Sequence, residues 1–236
     1  MVAVKINISE VFYSTQGEGK YIGTAQVFIR LSQCPFSCPY CDTDIQDKEY
    51  FKINNKQYNN PVSAEELSEI VLKEFGVGDN FHSYSITGGE PLIHYDFVKK
   101  LAYLLKNKSK AKLFLETSGL ITKYFQELDN IFDIMSIDIK THSEKVLKKL
   151  PVLLDVLSSL EHSDYYLKLL LPKENAKEII DYTAQELNKY NIKNIIIQPV
   201  DSIIAKDTID YLYNMYYSKN IEARIIPQTH KILAIP

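Results

Sequence analysis

Seven short runs rich in β-branched and aromatic residues recur along this chain, at 25–31, 82–86, 112–115, 133–137, 165–170, 194–197 and 223–226. Each is too short for a helix and apolar enough for a buried strand. Between them lie stretches with helical periodicity. Ser63 and Glu66 form a capping-box pattern ahead of Leu67, Ile70, Val71 and Phe75, and Gly76 supplies the stop. Phe97, Leu101, Leu104 and Leu105 line a second helix; Ile179, Ile180, Thr183 and Leu187 line a third. Strands alternating with helices predict an α/β fold built on a parallel sheet with right-handed crossovers, either open or closed into a full or partial barrel. In each of these, ligands sit at the carboxyl ends of the strands.

The chain has 236 residues, 45% of them hydrophobic, which suits one large domain that folds without disulfide staples. Neither a repeat nor a long linker divides it, so 1–236 is read as a single domain. The polar stretch 44–60 reads as a variable insertion. A formal net charge of −3 argues against a nucleic-acid partner. Lys106, Lys108, Lys110 and Lys112 are read as a solvated helix end and turn. Residues 1–10 alternate like a strand and lack the apolar core of a signal peptide, and no run is long enough to span a bilayer. No membrane association is therefore expected, and a cytoplasmic location is.

The only three cysteines, Cys34, Cys38 and Cys41, follow directly on the first predicted strand. Three thiols within eight residues are no disulfide framework; they point to metal binding in a reducing compartment. Thiolates suit zinc, copper(I) or iron–sulfur clusters. A four-iron cluster normally takes four thiolates, so a cluster held here keeps one iron open. The competing assignment is a structural zinc site completed by His82, His94, His142, His162 or His230, none of them near the cysteines in sequence and none forming a second ligand pair.

The string CPFSCPYC resembles the signature of the radical S-adenosylmethionine (SAM) superfamily, in which the amino and carboxylate groups of SAM chelate the open iron of a 4Fe-4S cluster. Thr87-Gly88-Gly89-Glu90-Pro91, after the second strand, resembles that superfamily's GGEP motif, which receives the SAM amino group. Gly88 and Gly89 permit close backbone approach to a ligand, and Glu90 either accepts from the ammonium or holds the loop. Glu116-Thr117-Ser118-Gly119 resembles the ETNG segment, which directs Glu116 and Ser118 to the ribose or methionine part of SAM. In Ser136-Ile137-Asp138-Ile139-Lys140, Lys140 is positioned for the SAM carboxylate, and Gln198 is a further expected SAM contact.

Three outlying segments, 12–19, 41–43 and 227–231, resemble the 7-carboxy-7-deazaguanine synthase family within that superfamily. The resemblance implies a contracted or partial (β/α)6 radical SAM barrel, commonly dimeric. It implies conversion of 6-carboxy-5,6,7,8-tetrahydropterin to 7-carboxy-7-deazaguanine with loss of ammonia. The reaction proceeds by hydrogen abstraction at C6, ring contraction and hydrogen return, with SAM regenerated, Mg2+ assisting and an external low-potential electron donor. It also assigns substrate contacts. Gln16 and Thr87 are expected at the heterocycle, with Glu18 accepting from its NH pair. Arg30 is expected at the substrate carboxylate, His230 at a ring atom or at that carboxylate, and the carboxylate of Pro236 at the ring. Thr43 supplies a hard oxygen for magnesium. Ile232 to Ile235, being apolar, are expected to tuck inward. Ser118 and the SIDIK segment depart from the family's usual ETNGT and Ser-Pro-Lys. The latter resembles glycyl-radical activating enzymes, the alternative within the superfamily.

Overall fold

The computed structural model describes residues 3–41, 43–200 and 203–235. Its strands are β1 (Lys5–Ile6), β2 (Ile8–Thr15), β3 (Ala25–Leu31), β4 (Tyr50–Ile53), β5 (Lys56–Asn59), β6 (Val62–Ser63), β7 (Ser83–Gly88), β8 (Lys112–Thr117), β9 (Ile134–Ile139), β10 (Asp164–Leu171), β11 (Asn194–Pro199) and β12 (Glu222–Ile225). The helices are α1 (Ala64–Phe75), α2 (Tyr95–Lys108), α3 (Phe125–Leu128), α4 (Glu144–Leu147), α5 (Leu150–Leu157), α6 (Ala176–Lys189), α7 (Lys206–Tyr217) and α8 (Thr229–Leu233).

An 8-stranded sheet runs in the order β12-β11-β10-β9-β8-β7-β3-β2. All neighbours are parallel except β2 and β3, which are antiparallel. β2 and β12 do not pair, so the sheet is a partial barrel with open edges. Helices join each parallel strand to the next, which is the crossover a parallel neighbour requires.

Each of the seven apolar runs forms a strand within two residues of its expected bounds. The helix at 64–75 starts where its cap is written: Glu66 N–H donates to Ser63 Oγ at 3.2 Å, and Ser63 N–H donates to Glu66 Oε2 at 2.7 Å. Such a cap contributes about 1 kcal/mol. Leu67 and Val71 of α1 pack in the same core as Leu101 and Leu105 of α2 and Ile180 and Leu187 of α6. The four lysines at 106–112 are exposed at the end of α2 and the turn beyond, as expected.

Three expectations need revision. The strand expected over 1–10 is interrupted at Asn7, and its main part, β2, runs on to Thr15. The stretch 44–60 is not merely a polar insertion: it contains the β4–β5 hairpin, whose Phe51 and Ile53 are buried in the main core. Last, the apolar run after His230 does not tuck in. It continues α8, with Ile232 67% and Leu233 55% exposed. Pro236 and Asp42 lie outside the described residues.

Candidate active site

Parallel strands carry their carboxyl ends to one rim, and register sets which side chains meet there. Arg30 pairs with Thr87, Glu116 with Ser136, Asp138 with Lys168, and Leu170 with Gln198. A cavity opens on this rim. Gln16, Glu18, Arg30, Cys34, Cys38, Cys41, Thr43, Thr87, Gly88, Gly89, Glu116, Ser118, Lys140, Gln198 and His230 all line it. Among the described residues, the structure thus gathers every expected site residue except Glu90, which is fully buried behind the wall.

The cysteine loop is shaped by main chain. Gln33 adopts φ 70°, its N–H donates to Ile45 O at 2.8 Å, and its own carbonyl accepts from Glu90 N–H at 3.1 Å. Gly89 N–H donates to Leu31 O at 3.1 Å. A Cβ on Gly89 would stand 1.9 Å from Gln33 O, and one on Gly88, at φ 131°, 2.2 Å from Leu31 O. The two glycines are therefore needed first by the cysteine loop itself, which packs directly on them.

Glu90 takes the second of its two expected roles. Its carboxylate accepts from Leu92 N–H at 3.0 Å, Thr117 Oγ1 at 2.8 Å and Ser118 N–H at 2.8 Å. It ties the loop after β7 to the end of β8, with those donors in place of an ammonium. Glu116 receives Gln16 Nε2 at 2.8 Å and Thr87 Oγ1 at 2.8 Å.

All three cysteines are free thiols facing the cavity. Burial pushes the Cys34 and Cys38 thiols up, so a bound metal must supply the free energy of deprotonation. Among the described residues no three His, Cys, Asp or Glu side chains converge on one ion position. A single zinc ion would need its thiolates about 2.3 Å from one point; a four-iron cluster distributes three of them over three irons. Gln198 Oε1, buried on the cavity wall, has no hydrogen-bond partner among the described residues, as an acceptor awaiting a polar ligand would. The donor set fits the cluster and SAM. One sequence argument against zinc does not hold in space: the parallel sheet carries the end of β9 to the cysteine loop, and His142 Nδ1 lies 3.5 Å from Cys38 Sγ.

From beside Cys38, a run of partly buried charges extends along the cavity wall. Lys140 Nζ lies 2.8 Å from Asp138 Oδ2, and Lys168 Nζ lies 3.2 Å from Asp138 Oδ1 and bonds Glu18 Oε2. Glu18 Oε1 also accepts from Gln228 Nε2 at 2.7 Å. Burial acts to raise the Glu18 pKa, but Lys168, aided by Gln228 and His230, outweighs it and holds the carboxyl down at about 2. Burial likewise opposes the charge on Lys140 and Lys168, and the facing carboxylates overcome it, raising both. Thr229 N–H donates to Gly17 O at 2.9 Å, and His230 packs against Gly17 so closely that a Cβ there would lie 2.5 Å from its Nδ1.

Gln16 lines the cavity and is engaged by its neighbours. Its Nε2 donates to both Gln26 Oε1 at 3.1 Å and Glu116, leaving no free hydrogen for a heterocycle; its Oε1 accepts from Glu18 N–H. Through that last bond Gln16 braces the Glu18 loop. Arg30 bonds Glu10 and stacks over Phe12, 5.0 Å from the ring centroid. Lys168, Asp138 and Gln228 received no role from sequence. The signal for Lys168 was present: it is the one charge inside the otherwise apolar run YLKLLL, 5% exposed.

Three thiols, a double-glycine loop and strand-end polar groups around one cavity of a partial barrel define a radical SAM protein. The Radical SAM superfamily model matches residues 29–212. Among named relatives, the 7-carboxy-7-deazaguanine synthase of Methanocaldococcus jannaschii is 34% identical over 212 residues, covering 82% of each chain. That of Archaeoglobus fulgidus is 27% identical over 234 residues, covering 98% of this chain and 100% of the relative. The chain belongs to the 7-carboxy-7-deazaguanine synthase family of radical SAM enzymes, which sets aside the glycyl-radical activating alternative. A 4Fe-4S cluster and SAM are its cofactors, and its substrate is a small molecule. The crystal structure of QueE from Escherichia coli shares the fold, with a TM-score of 0.58 at 22% identity over 96% of this chain and 95% of that one. Native anSMEcpe with bound AdoMet shares it at 0.54 and 14% identity, over 92% and 64%. No helix among the described residues is long and apolar enough to cross a membrane.

Proposed function

We propose that this chain converts 6-carboxy-5,6,7,8-tetrahydropterin to 7-carboxy-7-deazaguanine, acting as a carbon–nitrogen lyase that releases ammonia. One observation carries the reading: an ionised, partly buried carboxylate, Glu18, lines the same cavity as its cation Lys168 and three free thiols. An aminopyrimidinone presents adjacent NH donors along one edge, and a carboxylate is the acceptor that suits them. A charge-assisted bond there is about twice as strong as a neutral one.

The other residues divide the remaining work. Arg30, at the end of β3, pairs with the substrate carboxylate by sharing the charge now held by Glu10. Phe12 and Phe28, stacked at 5.1 Å on the cavity side, give a flat apolar surface suited to a planar ring. His230 closes the edge near Glu18. Gln198, Ser118, Glu116 and Lys140 hold SAM, and Cys34, Cys38 and Cys41 hold the cluster. When bound, these cofactors supply the radical that takes hydrogen from the substrate. Thr43, half-buried beside Cys41 on the cavity wall, offers a hydroxyl to Mg2+. A homodimer, an external low-potential electron donor and a cytoplasmic setting complete the reading.

Anaerobic incubation of the iron-loaded protein with SAM, a reductant, Mg2+ and the carboxytetrahydropterin tests it. The expected outcome is one ammonia released per deazaguanine carboxylate formed. Cleavage of SAM without consumption of the pterin would overturn the assignment.

A further inference from the structure

Resting on that reading, we propose that Lys168 is a positioning residue for substrate binding. Its ammonium, shared between Glu18 and Asp138, fixes Glu18 as the anionic acceptor for the substrate's NH-bearing edge. Lys168 sits mid-strand in β10, directly opposite Asp138 in the register with β9, so the two side chains leave the sheet on the same face. It is 5% exposed and sits against two carboxylates, Glu18 and Asp138. A lysine in this place has lost its water and is held only by those partners.

The two carboxylates are not equivalent. Asp138 has a second cation, Lys140 at 2.8 Å. Glu18 has Lys168 as its close cation, with Gln228 as a neutral donor and His230 of α8 nearby. Removal of the Lys168 charge therefore falls mainly on Glu18. The groups around Glu18 are then His230 and Gln228 on the segment beyond β12, with Asp138 of β9 and Glu116 of β8 beyond the lost ammonium, both adding negative charge. Loss of the ammonium, with Asp138 and Glu116 left beyond it, favours protonation of Glu18; Gln228 and His230 still oppose it but lack the close charge of Lys168. A protonated Glu18 loses acceptor capacity and places a donor against the substrate's donors.

The same ion pairs join the loop 15–19, held to the sheet rim by Glu18, to the strand end that carries Lys140. Lys168 is thus the joint between the substrate wall and the SAM wall. Because Asp138 keeps Lys140, the SAM wall should keep most of its order without Lys168, and the substrate wall should not.

The test measures binding separately for the two ligands in the cluster-loaded protein, using Lys168→Met, Lys168→Arg, Glu18→Gln and the double variant Glu18→Gln/Lys168→Met. Lys168→Met should weaken carboxytetrahydropterin binding by roughly a hundredfold or more, the scale of breaking a buried ion pair. SAM binding should fall by about tenfold or less. In Lys168→Met the pterin affinity should decline further as pH is lowered through the raised Glu18 pKa, over a range where the parent is flat. Lys168→Arg should recover part of the loss. The double variant removes both charges of the pair together, so it should fold and load iron even if Lys168→Met does not. Its pterin affinity should match Glu18→Gln alone, because Lys168 acts through Glu18. Equal pterin affinity in Lys168→Met and parent, or additive losses in the double variant, overturns the proposal. Failure of the parent to bind the pterin would instead overturn the substrate reading, so the two failures are distinct.

Discussion

The loop that carries the cysteines is shaped by main chain; the part of the cavity wall that runs from Lys140 to Glu18 is shaped by partly buried charge. The cysteine loop lies on Gly88 and Gly89 at distances that admit no side chain, and the Glu90 N–H donates to Gln33 O in the same loop. The other region carries Lys140, Asp138, Lys168 and Glu18 in alternating sign, running from the SAM end of the cavity to the substrate end. The first arrangement fixes position through sterics, which pH and salt do not change. The second depends on ionisation, and a single neutralised member alters the whole run. A site that must hold a large cofactor rigidly and a small polar substrate selectively is divided accordingly.

That contrast can be broken most severely at the thiols. Replacing any one of Cys34, Cys38 or Cys41 by Ala should abolish four-iron absorbance and all reductive SAM cleavage, because the chain has no spare cysteine. A single variant that retained both would refute the ligand assignment. Gly89→Ala comes next. Its Cβ meets a backbone carbonyl, and the overpacking costs roughly 1–3 kcal/mol. Circular dichroism should stay native while iron per chain falls well below the parent's; full iron loading would show that sterics do not fix the loop.

On the charged side the effects are graded. Arg30→Ala removes a half-buried cation and should weaken pterin binding roughly ten- to hundredfold, the scale of a charge-assisted bond. Uncoupled SAM cleavage should persist, and unchanged pterin affinity would remove Arg30 from the site. Acid should act selectively. Glu18 has its folded pKa lowered from 4.5 to about 2, so the stability it contributes is present above pH 4.5 and lost as pH falls toward about 2. Glu18→Gln should therefore flatten the acid limb of the unfolding curve across that window, and an identical limb in both proteins would contradict it. Smallest is Thr43→Val, which should reduce magnesium stimulation without loss of iron.

Much of this was legible in sequence because it is local. A strand of period two, the Ser63–Glu66 capping box and the spacing of the cysteines are each written within a few residues, and β3 begins and ends at the expected positions 25 and 31. Register, however, is not local. That Asp138 and Lys168 face one another follows only once β9 and β10 are aligned, and that His142 reaches Cys38 follows from the sheet's common rim. Bond capacity was equally hidden: Gln16 and Glu90 have suitable side chains for ligands, but Gln26, Glu116, Thr117 and Ser118 occupy them first. The polar look of 44–60 concealed the alternation of Phe51 and Ile53 inward. The apolar run at the end was read for hydrophobicity alone, although a helix as short as α8 offers no second layer to bury Ile232 and Leu233.

The central claim is that one cavity brings the cluster-bound cofactor and a pterin together for hydrogen transfer. Turnover of carboxytetrahydropterin deuterated at C6 tests it most directly, with SAM and product followed by mass spectrometry. The account predicts deuterium appearing in the SAM pool, which is regenerated rather than consumed, and product forming in excess of the SAM supplied. SAM that is cleaved stoichiometrically and carries no deuterium would contradict it.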